Sequence, residues 1–145
     1  MPVKRNYSWV FANSETHESI TRVSDVETWG SNLGFYLNGI AIGRGALEPE
    51  GKNRKRKYVH TTSTLIFDRF RKRGHGIELY RALIETARSI GAKRIYSDHN
   101  LNKLSRRMWK TKLARLGYKV KVVPSTACAK PCRHCRRHER YFIVL

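Results

Sequence analysis

A short basic segment with two glycines constrains the fold of this chain more than any other feature. Residues 71–76 read RKRGHG, between an apolar run at residues 64–67 and an amphipathic stretch at residues 77–90. In that stretch the apolar residues recur at helical spacing, and Gly91 is suited to end the helix. The pattern therefore predicts a strand, a tight basic turn and a helix, in that order.

A junction of this kind is suited to binding an anion. The first turn of a helix presents backbone N–H groups without intrahelical partners and carries a partial positive charge. Gly74 and Gly76 would let the backbone approach an anion closely, and Arg71, Lys72 and Arg73 would add positive charge. A capped basic turn has the same composition, so the segment alone leaves both interpretations open.

The rest of the chain alternates predicted strands and helices. Strands are expected at residues 7–12, 58–67, 93–100, 118–123 and 140–145, and a hairpin around Asn38-Gly39 at residues 35–47. Helices are expected from Asn13 or Ser14 to about Glu27, over residues 77–90, and from Leu101 to Leu116. The order β-α-β-β-β-α-β-α-β-β predicts one α+β domain over residues 1–145. Its architecture would be a single mixed sheet of about seven strands with helices on both faces.

The charge of the chain is large and unevenly distributed. There are 30 Lys and Arg residues against 11 Asp and Glu, a formal net charge of +19. Residues 1–50 carry a net charge of −2, whereas residues 51–145 carry +21. Such a surface favours anionic partners, such as a nucleic acid, an acidic protein or a polyphosphate ligand. The basic segments at residues 52–57 and 105–115 are candidates for contacts with phosphates.

Two features predict a cytoplasmic protein with no membrane partner. No apolar segment is long enough to act as a signal peptide or to span a membrane. The three cysteines, an odd number, argue against a disulfide framework.

The cysteines instead lie in a basic loop at residues 125–140, with spacing that suits a metal ion. Four zinc-type ligands fall within eleven residues: Cys128, Cys132, Cys135 and His138. The alternative is a set of reduced thiols in a basic loop. The sequence therefore offers a zinc site as one of two interpretations of this loop.

The basic turn and its surroundings resemble a known family. Arg71, Gly74 and Gly76 match the R/Q-x-x-G-x-G/A signature of the GCN5-related N-acetyltransferases (GNAT), and Leu116-Gly117-Tyr118 is similar to their helix-to-strand junction. The predicted order of elements agrees with that family along nearly the whole chain. A Rossmann or Walker loop does not fit, because the three-glycine spacing and the G-K-S/T sequence are absent.

The resemblance implies a site for acetyl-CoA. In the family the loop amides hold the pyrophosphate, a role that falls here on Arg71, Lys72, Arg73, Gly74, His75, Gly76 and Ile77. Backbone groups near Leu65 and Phe67 would pair with the acyl carbonyl and the pantetheine arm. Asn102 and Ser105 fall on positions of the family motif in the second helix.

Acetyl transfer to an amine needs a base to remove a proton from that amine. Relatives often carry a glutamate on the strand before the loop, but here that strand reads VHTTST, and His60 is its only titratable residue. Asp98 and His99, after the next strand, are alternatives, and Glu48 is another. His60 also suits a surface position, and Asp98 suits a helix-capping turn.

The leaving thiolate benefits from an acid, for which relatives commonly use a tyrosine in the second helix. Trp109 falls on that position here, or Leu113 when the count runs back from Gly117. Neither side chain is a useful proton donor. Hydroxyl groups elsewhere that could serve are those of Tyr118, Ser105 and Tyr96.

Two functions follow from this sequence. The first is an acetyl-CoA-dependent N-acetyltransferase that acts on an amine, with an anionic macromolecule (protein or RNA) as the expected acceptor. The alternative is a catalytically weak protein of the same fold that binds nucleic acid through its basic surface.

Overall fold

The computed structural model describes residues 4–27, 30–51, 54–98, 101–124 and 139–145. These residues form one seven-stranded sheet in the order β1-β2-β3-β4-β5-β7-β6. The strands are β1 (Tyr7–Asn13), β2 (Ser31–Leu37), β3 (Ile40–Pro49), β4 (Tyr58–Ile66), β5 (Arg94–Tyr96), β6 (Val120–Pro124) and β7 (Glu139–Val144). Among the described strands, β4 and β5 pair in parallel and the other neighbours pair antiparallel. The predicted single mixed sheet is confirmed.

Two helical regions connect the strands of the second half. Helix α1 (His75–Ser89) joins the parallel strands β4 and β5, and Gly91 follows its end with a φ of 90°. The second region begins as α2 (Lys103–Arg107), continues as a π-helical turn (Met108–Lys112) and ends as α3 (Leu113–Arg115). A π-helical turn is wider than an α-helical one and is frequently found at functional sites.

The helix expected between the first two strands does not form in residues 14–27. The Asn13 side chain caps a tight turn, since its Oδ1 accepts hydrogen bonds from the amides of Glu15 at 2.9 Å and Thr16 at 3.0 Å. The chain then returns along β1, and the amide of Ile20 donates to the carbonyl of Phe11 at 3.2 Å. A single 3₁₀ turn follows at Val23–Asp25. The predicted cap is present, but it begins a turn rather than a helix.

The described helices pack on one face of the sheet. Their buried side chains, including Leu83 of α1 and Trp109 of the π-helical turn, share one apolar core with Val59 and Ile95. Tyr96 is also buried but lies outside that core, because successive residues of a strand point to opposite faces. The second face, called here the open face, carries no helix among the described residues. Helices on both faces were expected, and in the described part of the chain they cover one.

Candidate active site

The basic turn leads directly into α1, as the sequence predicted. Gly74 precedes the helix with a φ of 83°, a left-handed conformation that favours glycine. A Cβ atom at Gly74 would have no neighbour within 4 Å, so the space above the helix N-terminus is open. Lys72 and Arg73 are exposed beside it and form no ion pair with the described residues. Backbone N–H groups, open space and two free cations together suit an anionic ligand.

The side chain of Arg71 stabilises the basic turn through contacts with neighbouring residues. Its Nε donates to the carbonyl of Ile66 at 2.9 Å, and its Nη1 lies 2.9 Å from a carboxylate oxygen of Asp68. These contacts hold the end of β4 against the start of the turn. The side chain of Arg71 therefore shapes the turn in addition to contributing charge.

His75 is anchored beneath the turn rather than pointing into it. Its side chain is 4% exposed, and its Nδ1 lies 2.9 Å from the hydroxyl of Tyr7. Burial lowers the pKa of His75, and the positive charges of Arg5 and Arg73 lower it further. The neutral imidazole ties α1 to β1, so any contact of His75 with an anion must come from its backbone.

Strands β4 and β5 separate directly beyond a short paired segment. They pair only from Tyr58 to His60 and from Arg94 to Tyr96, and the amide of Ser97 then donates to Tyr141 on β7 at 2.8 Å. The residues of β4 beyond His60 therefore border an opening, called here the β4–β5 cleft. The cleft is next to the basic turn, because β4 leads through that turn into the N-terminus of α1.

Strand β4 is irregular where it borders this cleft. The β3–β4 register shifts between Arg44 and Ala46, and Ser63 has a φ of 52°. A bulge of this kind redirects the side chains around it. Leu65 and Phe67 follow the bulge, and the amide of Phe67 donates to Ile42 at 2.9 Å. The Phe67 N–H is thus engaged within the protein.

Tyr80 of α1 supplies a buried hydroxyl to the cleft. Burial raises the pKa of this hydroxyl, and the nearby Asp98 carboxylate raises it further. Interactions with the side chains of Ser105, Trp109 and Thr64 act in the opposite direction. The hydroxyl is therefore protonated at neutral pH and surrounded by residues from β4, from the end of β5 and from the second helical region.

Trp109 lies against Tyr80, and its role differs from that of a proton donor. The two rings meet edge to face with centroids 5.9 Å apart, and the indole is fully buried. Among the described residues the Trp109 Nε1–H has no acceptor in good hydrogen-bonding geometry, although it is near enough to affect the pKa of Tyr80. The side chain of Tyr80 therefore places a hydroxyl-bearing ring beside Trp109.

Asn102 and Tyr118 serve other elements of the fold. The Oδ1 of Asn102 accepts a hydrogen bond from the amide of Ser105 at 2.8 Å and so caps α2. Tyr118 interacts with Arg81 on α1. Neither side chain has a described contact with Tyr80. Sequence reasoning did not identify Tyr80, because it occupies an apolar position of the α1 stripe.

His60 belongs to a charged cluster on the open face. Its Nε2 lies 3.2 Å from Glu48, and its Nδ1 lies 2.9 Å from Glu50. Arg140 of β7 donates from Nη2 to Oε2 of Glu50, the oxygen that His60 also contacts, at 2.9 Å, and to the carbonyl of Ser97 at 2.8 Å. His60 is thus held between two carboxylates rather than at an isolated surface position.

A cavity of about 390 Å³ lies next to this cluster. Its lining residues come from β2, β3, β4 and the turn after β1: Ser14, Ser31, Asn32, Arg44, Gly45, Ala46, Glu48, Thr62 and Ser63. Glu48 therefore reaches both the cavity and His60. The cavity and the β4–β5 cleft are separated by the irregular part of β4.

Two further expectations concern metals and membranes. The proposed zinc ligands, Cys128, Cys132, Cys135 and His138, lie outside the described residues, so zinc stays a prediction that metal analysis of the purified protein can test. No helix in the described part of the chain is long and apolar enough to cross a bilayer.

Comparison with known proteins identifies the family. Residues 4–114 match the model of the acetyltransferase (GNAT) family, and no curated protein matches the chain. The chain belongs to the GNAT acetyltransferase family, and the resemblance inferred from the basic turn is confirmed. It is accordingly an N-acetyltransferase by family, with an acceptor that the family does not specify.

Solved structures agree on the fold. A Lactobacillus plantarum protein assigned as an N-acetyltransferase is 16% identical, with a TM-score of 0.57 and coverage of 96% of this chain and 98% of that one. A Bacillus subtilis acetyltransferase in complex with CoA is 15% identical, with a TM-score of 0.55 and coverage of 79% and 76%. The N-acetylglutamate synthase of Neisseria gonorrhoeae is 15% identical with a TM-score of 0.52. The match covers 79% of this chain but only 25% of that protein.

Proposed function

We propose that this protein transfers an acetyl group from acetyl-CoA to an amine, with the thioester in the β4–β5 cleft. The observation that carries the proposal is the convergence of Tyr80, Thr64 and Ser105 at the cleft, next to the turn that opens α1. The turn would hold the pyrophosphate through its amides, with Lys72 and Arg73 adding charge. The space around Gly74 is open, so a ligand could approach the amides of the turn.

The transfer step requires two proton movements. The amine nitrogen attacks the thioester carbon, a C–N bond forms, the C–S bond breaks, and CoA leaves as a thiolate. Glu48, paired with His60, is the proposed group that takes the proton from the amine. Tyr80 is the proposed donor to the thiolate, since its hydroxyl is protonated and buried.

Calorimetric titration of acetyl-CoA tests the proposal. Gly74→Glu introduces a carboxylate where the pyrophosphate would lie, so we expect micromolar binding by the wild type and at least a tenfold loss in the variant. Gly117→Glu is the matched control, because Gly117 also has a positive φ of 97° and open space around it. It carries the same backbone strain and should bind acetyl-CoA normally. Absence of binding to the wild type would contradict the proposal.

The sequence predicts an acceptor amine on an anionic macromolecule, and the exposed charge of the second helical region is the observation that favours such a partner. In α1, Arg81 and Arg88 are paired with Glu78 and Glu85. By contrast, the sequence from residue 99 to residue 138 contains no acidic residue. Within it, five exposed cations of the second helical region form no ion pair with the described residues: Lys103, Arg107, Lys110, Lys112 and Arg115. Unpaired cations of this kind suit RNA phosphates.

The same cations support the second candidate function, a nucleic-acid-binding protein with weak catalysis. Replacing Lys103, Arg107 and Lys110 with glutamine should reduce the dependence of log K on log salt for single-stranded RNA by about 2. The double variant Arg81→Gln, Arg88→Gln is the control, because those arginines are already paired. If RNA binding survives in Gly74→Glu while acetyl transfer to every tested acceptor is absent, the second function is the correct one.

A further inference from the structure

The cavity on the open face contains Glu48, the proposed base, together with residues that have no part in the proposed mechanism. At about 390 Å³ it lies near the lower end of the range for small-molecule sites. Much of its lining is hydroxyl and amide, from residues such as Ser31, Asn32 and Thr62, and its two charged residues are Arg44 and Glu48. A site of this size receives one small polar group rather than a stretch of polymer.

Arg44 is the unexplained member of this lining. It has no ion-pair or hydrogen-bond partner among the residues the structure describes, and Gly34 faces it across the β2–β3 ladder. Its guanidinium is a permanent cation with paired donors that match a carboxylate or a phosphate. The rest of the fold makes no use of this charge.

Glu48 provides the opposite charge on the same wall. It is partly buried, with a side-chain exposure of 22%, and one of its oxygens lies 3.2 Å from His60 Nε2. Along a strand the rise is roughly 3.3 Å per residue, so the Cα atoms of Arg44 and Glu48 are at most about 13 Å apart. Both residues line the cavity.

We infer that the cavity binds the acceptor, and that the acceptor is a small amine with an anionic group several bonds from the nitrogen. The amine would lie at Glu48, beside the irregular part of β4 that borders the cleft, and the anionic group would lie at Arg44. This inference rests on the proposed function for its reaction, but the recognition of amine and anion is a property of the cavity alone.

The separation of the two charges makes the inference specific. An α-amino acid, with its charges two bonds apart, would satisfy one of the two residues but not both. An ω-amino carboxylate or an aminoalkyl phosphate with a longer chain would satisfy both. The occupant would therefore be selected by chain length as well as by charge.

An acceptor series tests this selection. Glycine, 4-aminobutanoate and 6-aminohexanoate would be compared with alkylamines of matching length that lack the carboxylate, and release of CoA would be followed. For the two longer amino acids we expect kcat/KM at least tenfold above that of the matching alkylamine. This preference should disappear in Arg44→Gln and persist in Arg88→Gln, whose arginine is paired with Glu85 far from the cavity.

Binding of 6-aminohexanoate without an acyl donor separates the two proposals. Titration into the wild type and Arg88→Gln should show saturable binding that weakens at least tenfold in Arg44→Gln and Glu48→Gln. Equal use of neutral amines, an unchanged preference in Arg44→Gln, or no binding to the wild type would each overturn the assignment of the cavity. Failure of the acetyl-CoA titration would instead overturn the proposed function, and binding of the amine would still decide the role of the cavity.

Discussion

At the scale of single residues, the proposed mechanism uses a hydroxyl from an unexpected element, α1. Relatives commonly provide a tyrosine from the second helix, and here Trp109 occupies that helix, fully buried against Tyr80. The Tyr80 side chain comes from α1 and reaches the same cleft. Burial raises the pKa of its hydroxyl, which suits a donor that must stay protonated until the thiolate forms.

Tyr80→Phe should lower kcat by about 10- to 100-fold, because the thiolate would leave without its proton donor. The affinity for acetyl-CoA should change little. Since the pKa of Tyr80 is raised above its ordinary value of 10, the ratio of wild-type to variant kcat should be the same at pH 7 and pH 9. Steady-state kinetics at both pH values, with Tyr118→Phe as the control, makes the measurement. An unchanged kcat would remove Tyr80 from the mechanism.

The sequence allowed some of these residues to be predicted and concealed others. Gly74 could be recognised because a tight turn before a helix requires its backbone freedom, whereas Gly76 lies within α1 and has no positive φ. Tyr80 could not, because an aromatic ring within an apolar helical stripe indicates core packing. The partners of His60 were also hidden, since Glu50 meets it only after β3 and β4 pair.

At the scale of elements, the cleft depends on close contact between β3 and β4. A Cβ atom on Gly43 would lie 2.6 Å from the carbonyl oxygen of Leu65 and 2.9 Å from a side-chain carbon of Ile66. The glycine therefore sets the position of the β4 segment that borders the cleft. Contacts between elements also explain why the expected first helix is absent. Residues 19–20 pair with β1, and these hydrogen bonds replace the local ones of a helix.

Gly43→Ala should destabilise the fold by about 1–3 kcal/mol, since the new methyl group meets a backbone atom that cannot rotate away. It should also weaken acetyl-CoA binding by displacing Leu65. Gly34→Ala is the control, because its nearest neighbour at 3.1 Å is the movable hydroxyl of Tyr36. Chemical denaturation and calorimetry measure the two effects. Equal stability of the two variants would show that β4 moves to accommodate the new methyl group.

At the scale of the whole molecule, one ion pair joins distant parts of the chain. Glu50, directly after β3, meets Arg140 of β7 across the open face. Burial by itself would raise the pKa of Glu50, but hydrogen bonds from Arg140 and His60 outweigh it and lower the pKa from 4.5 to about 2. The depressed pKa stabilises the fold above pH 4.5, and that stabilisation is lost as the pH falls towards 2.

The free energy of unfolding should therefore decrease by about 1–2 kcal/mol more between pH 5 and pH 2 in the wild type than in Glu50→Gln. This estimate is below the full value of the shift, since solvent partly screens the pair. Glu85→Gln removes an exposed pair with Arg88 and should leave the pH dependence unchanged. Denaturant titrations at both pH values provide the comparison. Parallel curves for wild type and Glu50→Gln would contradict the assigned shift.

The place of β7 in the sheet has a consequence for how the protein is made. On the ribosome β6 emerges before β7, yet β7 lies between β5 and β6 and pairs with both. Until residues 139–144 leave the exit tunnel, β5 and β6 have no partner on the sides that face each other. Strands β1 to β4 can pair early during synthesis, whereas the second half of the sheet cannot form until β7 is available. Until then the unpaired edges of β5 and β6 are exposed to chaperones or to neighbouring chains.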